Sequence, residues 1–336
     1  LLSILRHLDR ERFTPYLAVL KGGGDCLDEY RHYAEEMLEV FCDGPHAAAF
    51  LCAVRCFIRD KNIRIVHSFL FHANMVSRLL KLMNRHVICI NSHRTIEIDK
   101  KWHLFCDRLT RAWVDYETAN AAAVEKYYIT HTKIPSDKIR TVYNGYSQVK
   151  MEPASHCRAF GCIGSFTKAK GQLRLLKSLN EFVRATDWRV LFTGEGPLRS
   201  ECEDYAHAHD LQGHVSFCDT EKDIDSIYER ISALIIPSRW EGMPNVLFEA
   251  LLRKRPVIAT PVGGISELRH YYPALRFYDP SDPASLLRSM KEVRDDYSTL
   301  VSHVSDIHEE LSSRFSVERM IENYTRLYDD INAQSV

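Results

Sequence analysis

The stretch Ser238-Arg239-Trp240-Glu241-Gly242-Met243-Pro244-Asn245-Val246-Leu247-Phe248-Glu249-Ala250 decides how this chain is read. An apolar run, residues 233–237, leads into it, and a helix-like run, residues 246–252, leads out. Gly242 and Pro244 stand where a strand-to-helix turn needs first a permissive residue and then a pre-set φ. Such a turn leaves the backbone N–H groups of Met243, Pro244's neighbour Asn245 and Val246 facing outward beyond the strand, which favours an anion. Glu241 and Glu249 flank that turn, and a carboxylate accepts hydrogen bonds from adjacent hydroxyls. A diphosphate joined to a sugar satisfies both halves of the pattern. A simple helix-dipole role explains either Glu alone. It does not explain the whole string, with the second Glu inside an otherwise apolar helix face.

Working outward, the same alternation repeats. Strands are expected at 160–164, 188–193, 215–218, 233–237 and 256–260, and helices at 172–184, 198–209, 224–230, 283–311 and 317–331. In the first half, strands are expected at 13–20 (closed by Gly22-Gly23-Gly24), 63–68 and 87–91. Helices are expected at 50–59, 73–83 and 102–113, with Val76, Leu79, Leu80 and Met83 sharing one face. Residues 142–145 read as a strand end and turn, and the aperiodic stretch 145–157 with Pro153 reads as a linker. The βαβα order predicts parallel sheets covered on both faces. The expected architecture is two open α/β domains facing a cleft, with ligands beyond the carboxyl ends of the strands.

Composition excludes several classes. The chain has 336 residues, 45% hydrophobic and 26% charged, with net charge -1, so nucleic acid is not implied. Residues 1–150 carry 22 Lys+Arg against 17 Asp+Glu, or +5, and residues 151–336 carry 22 against 28, or -6. A mildly basic first half suits peripheral contact with an anionic membrane surface or a phosphate-bearing acceptor; a solvated surface explains it equally. No apolar run approaches the roughly 20 residues of a membrane span, and no signal peptide is expected. The chain opens without Met inside an amphipathic pattern, Leu1, Leu2, Leu5 and Leu8, as a fragment lacking its true start would. Ten cysteines show no CxxC pair, although Cys52 and Cys56 share a helix face. Buried, reduced thiols in a cytoplasmic protein are expected.

The opening stretch, together with Arg255-Pro256-Val257-Ile258-Ala259-Thr260 and Val262-Gly263-Gly264-Ile265-Ser266-Glu267-Leu268, resembles the retaining glycosyltransferases of family 4, of the GT-B fold. Ile163-Gly164-Ser165-Phe166-Thr167-Lys168-Ala169-Lys170-Gly171 is similar to the family's phosphate-contacting loop, and Phe192-Thr193-Gly194-Glu195-Gly196-Pro197-Leu198 to its next strand-end loop. Weaker similarity covers residues 66–74, Asn91-Ser92-His93, residues 118–121 and Tyr143-Asn144-Gly145. The resemblance implies domains at 1–148 (acceptor side), 149–314 (nucleotide-sugar side) and a 315–336 helix returning to the first domain.

By that resemblance, Glu241 contacts donor-sugar hydroxyls, Glu249 the ribose, and Lys170 the diphosphate, where a fixed cation steadies the growing charge of the leaving group. Gly194, Arg239, Gly242, Met243, Pro244, Asn245 and Val246 complete the donor site, and His93 supports the transferred sugar. The plainer alternatives are an exposed loop lysine at Lys170 and a strand-end histidine satisfied by a carbonyl at His93. The family often has Arg at Ser165, so Lys168 or Arg239 is expected to supply that charge. Lys254 replaces a usual helix-ending Gly, which is tolerable if its φ stays negative. The family's Gly-rich first loop falls before Leu1. Asp223-Ile224-Asp225 reads as a helix start rather than a metal-binding triplet.

The resulting expectation is a retaining, metal-independent glycosyltransferase without a cofactor. Its donor is a UDP- or GDP-linked sugar, and its acceptor a glycan or lipid-linked hydroxyl. The alternatives are a sugar-nucleotide epimerase or a catalytically silent binding protein of the same fold.

Overall fold

Parallel strands carry both halves of the chain. The computed structural model describes all residues except 22–26, 40–46, 148, 150–156, 180–181, 183–185, 220–222, 271–274 and 335–336. The expected Gly22-Gly23-Gly24 turn and most of the expected 145–157 linker lie outside the described residues. The chain divides into two units, Leu1–Gly145 with Phe315–Val336, and Tyr146–Arg314.

In the first unit, β1 (Tyr16–Ala18) pairs in parallel with β2 (Glu36–Leu38). A four-stranded parallel sheet follows in the order β3 (Ile65–Phe69), β4 (Ile88–His93), β5 (Tyr116–Ala119), β6 (Ile139–Thr141). The C-terminal helix Val317–Gln334 belongs here, because Val317, Met320, Tyr324, Leu327, Tyr328 and Ile331 recur at helical spacing. That stripe packs on Ile88, Ile90 and Val142. Gly145 permits the approach, since a Cβ there would come within 2.5 Å of the Val317 Cα.

The face that the Phe71–Met83 helix buries differs from the one expected. Asn74, Ser77 and Arg78 are buried with Leu80, while Leu79 and Met83 are exposed. The reason is β4 and β5 beneath it, which present the polar side chains Asn91 and Glu117 to Arg78. Buried polar groups demand partners, and here they outrank the apolar stripe. The thiol expectation also needs correction. Cys89, Cys162 and Cys202 are buried, but Cys52 and Cys56 are exposed on the Ala47–Asp60 helix.

In the second unit, six parallel strands stand in the order β12-β11-β10-β7-β8-β9. They are β7 (Ala159–Ile163), β8 (Arg189–Thr193), β9 (Val215–Cys218), β10 (Ala233–Ile236), β11 (Val257–Ala259) and β12 (Leu275–Phe277). Numbered within the unit, that is the doubly wound order, in which the chain runs outward one way from β7 and then restarts beside it at β10. All four β10 residues are buried, as a strand covered on both faces requires. The long expected helix 283–311 is three helices, Pro283–Asp295, Tyr297–Asp306 and His308–Arg314. The first of them starts at an Asp282 cap whose side chain accepts from the Ala284 N–H.

Candidate active site

The strand order fixes where a ligand belongs. β7 and β10 are parallel neighbours, yet the strands that follow them, β8 and β11, lie on opposite flanks of the pair, which makes their carboxyl ends the switch point where ligands bind in such sheets. Two loops meet there, residues 164–171 after β7 and residues 237–244 after β10. The Arg239 N–H donates to the Ala169 carbonyl at 2.7 Å, and the Arg174 guanidinium donates to the Pro237 carbonyl at 2.7 Å. Gly171 makes this contact possible. Its φ is +74°, and a Cβ would lie 2.2 Å from the Pro237 oxygen.

This apposition brings together Lys170 and Glu241, which stand 71 positions apart in sequence. The Lys170 ammonium donates to Glu241 Oε1 at 2.7 Å, and the Ser238 hydroxyl donates to the same oxygen at 2.7 Å. Glu241 is 7% exposed, and among the described residues no hydrogen bond is made to its Oε2. A small cavity is lined here by Cys162, Lys170, Gln172, Pro237, Ser238 and Glu241. Gln172 steadies its other wall by donating to the carbonyls of Gly164 and Ser165 at 3.1 and 2.9 Å. The sequence assigned Lys170 and Glu241 separate duties; the structure makes each the other's counter-ion.

A brace that sequence reasoning did not assign lies behind Glu241. The Gly264 N–H donates to the Gly242 carbonyl at 2.7 Å, and Gly263, at φ +53°, sits so close that a Cβ would be 2.0 Å from the Glu241 carbonyl oxygen. The Gly263-Gly264 pair was the available signal, because adjacent glycines after a strand mark close backbone approach.

The helix Asn245–Leu252 follows, with Pro244 as its N-cap residue and no side-chain cap bond. Gly242, Met243 and Pro244 are buried at its entrance, and Asn245 is exposed. The Tyr146 hydroxyl donates to Asn245 Oδ1 at 3.2 Å. Glu249 lies inside the helix, within 3.4 Å of the Tyr228 hydroxyl, which also donates to the Val246 carbonyl at 3.2 Å. Burial pushes the Glu249 carboxyl above its ordinary value, against the opposing pull of Arg253. Gly194, at φ +139°, closes the floor, since a Cβ there would be 2.3 Å from the Gly164 oxygen.

Ser165 is exposed. Lys168 and Arg239 line a neighbouring cavity of about 200 Å³ with Arg174 and Lys177, not the one holding Lys170 and Glu241. Asp223 caps the Ile224–Glu229 helix by accepting from the Asp225 N–H, and Asp225 pairs with Arg253 at 2.5 Å. Lys254 departs from the expectation of a negative φ. It sits at +56° in a Schellman turn, with the Arg255 N–H bonded to the Ala250 carbonyl and the Lys254 N–H to the Leu251 carbonyl.

His93 ends β4 in the first unit and is 4% exposed. Its Nε2 lies 3.0 Å from Glu117 Oε2, and its ring stacks on Tyr128 at 3.6 Å. Glu117 Oε1 takes a bond from Arg78 at 2.7 Å, and Arg78 also pairs with Asp107 at 2.9 Å. Burial alone would raise the Glu117 carboxyl, but His93 and Arg78 outweigh it and hold it below its ordinary value. Burial raises the Asp107 carboxyl. A carboxylate in the middle of strand Tyr116–Ala119 was the sequence signal for this network.

Two family models lie end to end on the chain: Glycosyltransferase Family 4 over residues 1–148, and Glycosyl transferases group 1 over residues 157–296. The chain belongs to glycosyltransferase family 4. A relative among curated proteins, the Vi polysaccharide biosynthesis protein VipC/TviE of Salmonella typhi, is 26% identical over 44% of this chain and 29% of its own length. The uncharacterized glycosyltransferase MJ1607 of Methanocaldococcus jannaschii is 22% identical over 58% of this chain and 54% of its own length. The chain thus spans about half or less of these relatives. Anabaena Alr3699/HepE in complex with UDP superposes with a TM-score of 0.83 at 15% identity, covering 98% of this chain and 94% of that one. The two units are the Rossmann-like halves of the GT-B fold.

Proposed function

We propose that this family 4 member is a retaining glycosyltransferase. It moves a sugar from a nucleotide-diphosphate sugar to a hydroxyl of a glycan or lipid-linked acceptor. The observation that carries the reading is the placement of Lys170 and Glu241 on one another at the switch point of the second sheet, with Ser238 on the same carboxylate oxygen. A cation for a diphosphate and a carboxylate for hydroxyls are the two groups such a donor needs in one site, and here they stand one hydrogen bond apart. The Asn245–Leu252 helix start, with no side-chain cap, adds backbone donors for the phosphates. Support also comes from the relatives. HepE is a UDP-binding structure by its description, and VipC/TviE a polysaccharide biosynthesis protein.

In this reaction the bond from the anomeric carbon to the diphosphate oxygen breaks while the acceptor oxygen bonds the same face. The acceptor proton passes to the departing diphosphate. Lys170 and the backbone N–H groups hold the charge that grows on that diphosphate, without a metal ion or a separate nucleophile. Glu241 and Glu249 orient the sugar and the ribose, and His93 supports the transferred sugar. We further propose that the reaction runs on the cytoplasmic side, in surface polysaccharide or glycoconjugate synthesis.

A thermal-shift panel of UDP-, GDP- and ADP-sugars identifies the donor, and product analysis with and without acceptor then follows transfer. Lys170→Ala should lower turnover by roughly 10²-fold with little change in melting temperature, and EDTA should leave the rate intact. Wild-type turnover in Lys170→Ala sinks the assignment, and a rate abolished by EDTA points instead to a metal-assisted leaving group.

A further inference from the structure

Glu117 sits inside β5, at a buried strand position that ordinarily carries an apolar side chain. A carboxylate only 2% exposed costs stability unless both of its oxygens are taken up. Two elements supply the partners. Oε1 accepts from the Arg78 guanidinium at 2.7 Å, and Oε2 lies 3.0 Å from His93 Nε2. Arg78 is tied down in turn, because it donates to Asn91 Oδ1 at 2.6 Å and to Thr110 Oγ1 at 2.7 Å and pairs with Asp107. Tyr128 covers one face of the His93 ring, with centroids 3.6 Å apart and planes at 27°. The imidazole is thereby fixed both in place and in rotation.

These contacts decide which ring nitrogen carries the proton. Against the upward push of burial, His93 and Arg78 keep the Glu117 carboxyl below its ordinary value. An ionised carboxylate only accepts, so Nε2 must be the donor, and in the neutral ring Nδ1 is left with its lone pair. Among the described residues Nδ1 has no hydrogen-bond partner, yet it is not sealed in. His103 gives the contrast, since its Nε2 is buried without a partner among the described residues. We propose that Glu117 is a positioning residue: it holds the His93 imidazole as the Nε2–H tautomer and so keeps Nδ1 an acceptor for a hydroxyl of the transferred sugar. The role for the hydroxyl rests on the proposed transferase reading; the hold on the tautomer does not. In the other tautomer the ring would present an N–H at the same point, and a sugar hydroxyl there could no longer donate. A nitrogen kept as an acceptor also disfavours a sugar that lacks the hydroxyl, because a polar atom of the site is then left unpaired.

Imidazole nitrogen NMR on histidine-labelled protein, at about pH 8 where an ordinary histidine is neutral, reads the tautomer without donor or acceptor. The His93 signals are those lost in His93→Phe. Wild type should show a protonated Nε2 and an unprotonated Nδ1. Glu117→Gln should reverse them, because its amide oxygen stays with Arg78 and its NH2 then donates to Nε2. In the same variant kcat/KM, with the donor found by thermal shift, should fall roughly tenfold. Calorimetry should give an unchanged Kd for the nucleoside diphosphate of that donor. A role confined to packing would lower the melting temperature and leave the tautomer as it was. The inference is overturned by a wild-type His93 protonated at Nδ1, by an unchanged tautomer in Glu117→Gln, or by a reversed tautomer with wild-type kcat/KM. The wild-type spectrum decides even where Glu117→Gln does not fold. Failure of the wild type to transfer any sugar of the panel removes the transferase reading, and with it the role for the hydroxyl, and leaves the hold of Glu117 on His93 standing.

Discussion

Gly263→Ala is a sharp test of how the site is held. A Cβ at Gly263 would stand 2.0 Å from the Glu241 carbonyl oxygen, 2.8 Å from its carbonyl carbon and 3.1 Å from the Gly242 oxygen. Carbon and oxygen need roughly 3 Å or more, so the 241–242 backbone must retreat by about 1 Å. The φ of +53° adds strain of about 1–3 kcal/mol for a residue with a Cβ. That strain corresponds to a melting shift of roughly 2–12 °C for a unit of this size. The larger effect falls on Glu241, whose carboxylate pairs with Lys170. A displacement of about 1 Å in a positioning group costs on the order of 10²-fold in rate. Initial rates with the donor found in the thermal-shift panel, and calorimetry with its nucleoside diphosphate, read the two consequences. Gly213→Ala is the control, because nothing lies within 4 Å of a Cβ there. A Gly263→Ala protein with lowered melting temperature but wild-type kcat/KM would refute the idea that this brace sets the Glu241 position.

Two further outcomes concern stability. Lys254→Gly should stabilise the second unit by up to about 1 kcal/mol, since glycine relieves the left-handed strain at +56° at a smaller entropic cost; urea unfolding that shows a loss would contradict the Schellman assignment. Glu117→Gln should cost about 3–5 kcal/mol at pH 7, because it strips Arg78 of a buried partner. The folded Glu117 carboxyl lies below its ordinary 4.5, so its contribution is present above that pH and lost as pH falls through the folded value. Asp107 is raised by burial, so its charge becomes a cost as pH rises, and Asp107→Asn should be milder. Unfolding at pH 7 and pH 4 separates them; a Glu117→Gln penalty that does not shrink at the lower pH would count against the pairing.

The second sheet was legible because its strands are short apolar runs between turn signals. β9 falls on the expected 215–218, and β10 ends one residue before the expected 237. β5 and the helix Ala122–Thr132 after it were not read, since Glu117 interrupts the strand and the helix has buried Val124, Tyr128 and Thr132 without a strong apolar stripe. β12 was missed because its middle residue is Arg276. Residues 283–311 kept helical periodicity through two breaks, at Asp296 and Ile307, which only the fold reveals. At the site, the motif announced Lys170 and Glu241 individually. Their pairing depends on β7 and β10 being neighbours, a fact of strand order that no local pattern encodes. The polar core around Arg78 was hidden for a similar reason, as its members come from two strands and two helices.

The Lys170–Glu241 pair makes occupancy of the site an exchange. An anion that reaches Lys170 takes over a proton donor already in use, and the carboxylate it displaces is still tethered by Ser238 at 2.7 Å. Measured affinity then reports the difference between two ion pairs rather than the strength of one. Such a site should respond weakly to added salt, because screening loosens the resting contact together with the incoming one. It should also discriminate against simple inorganic phosphate, which satisfies the lysine but offers the freed carboxylate no hydroxyl in return.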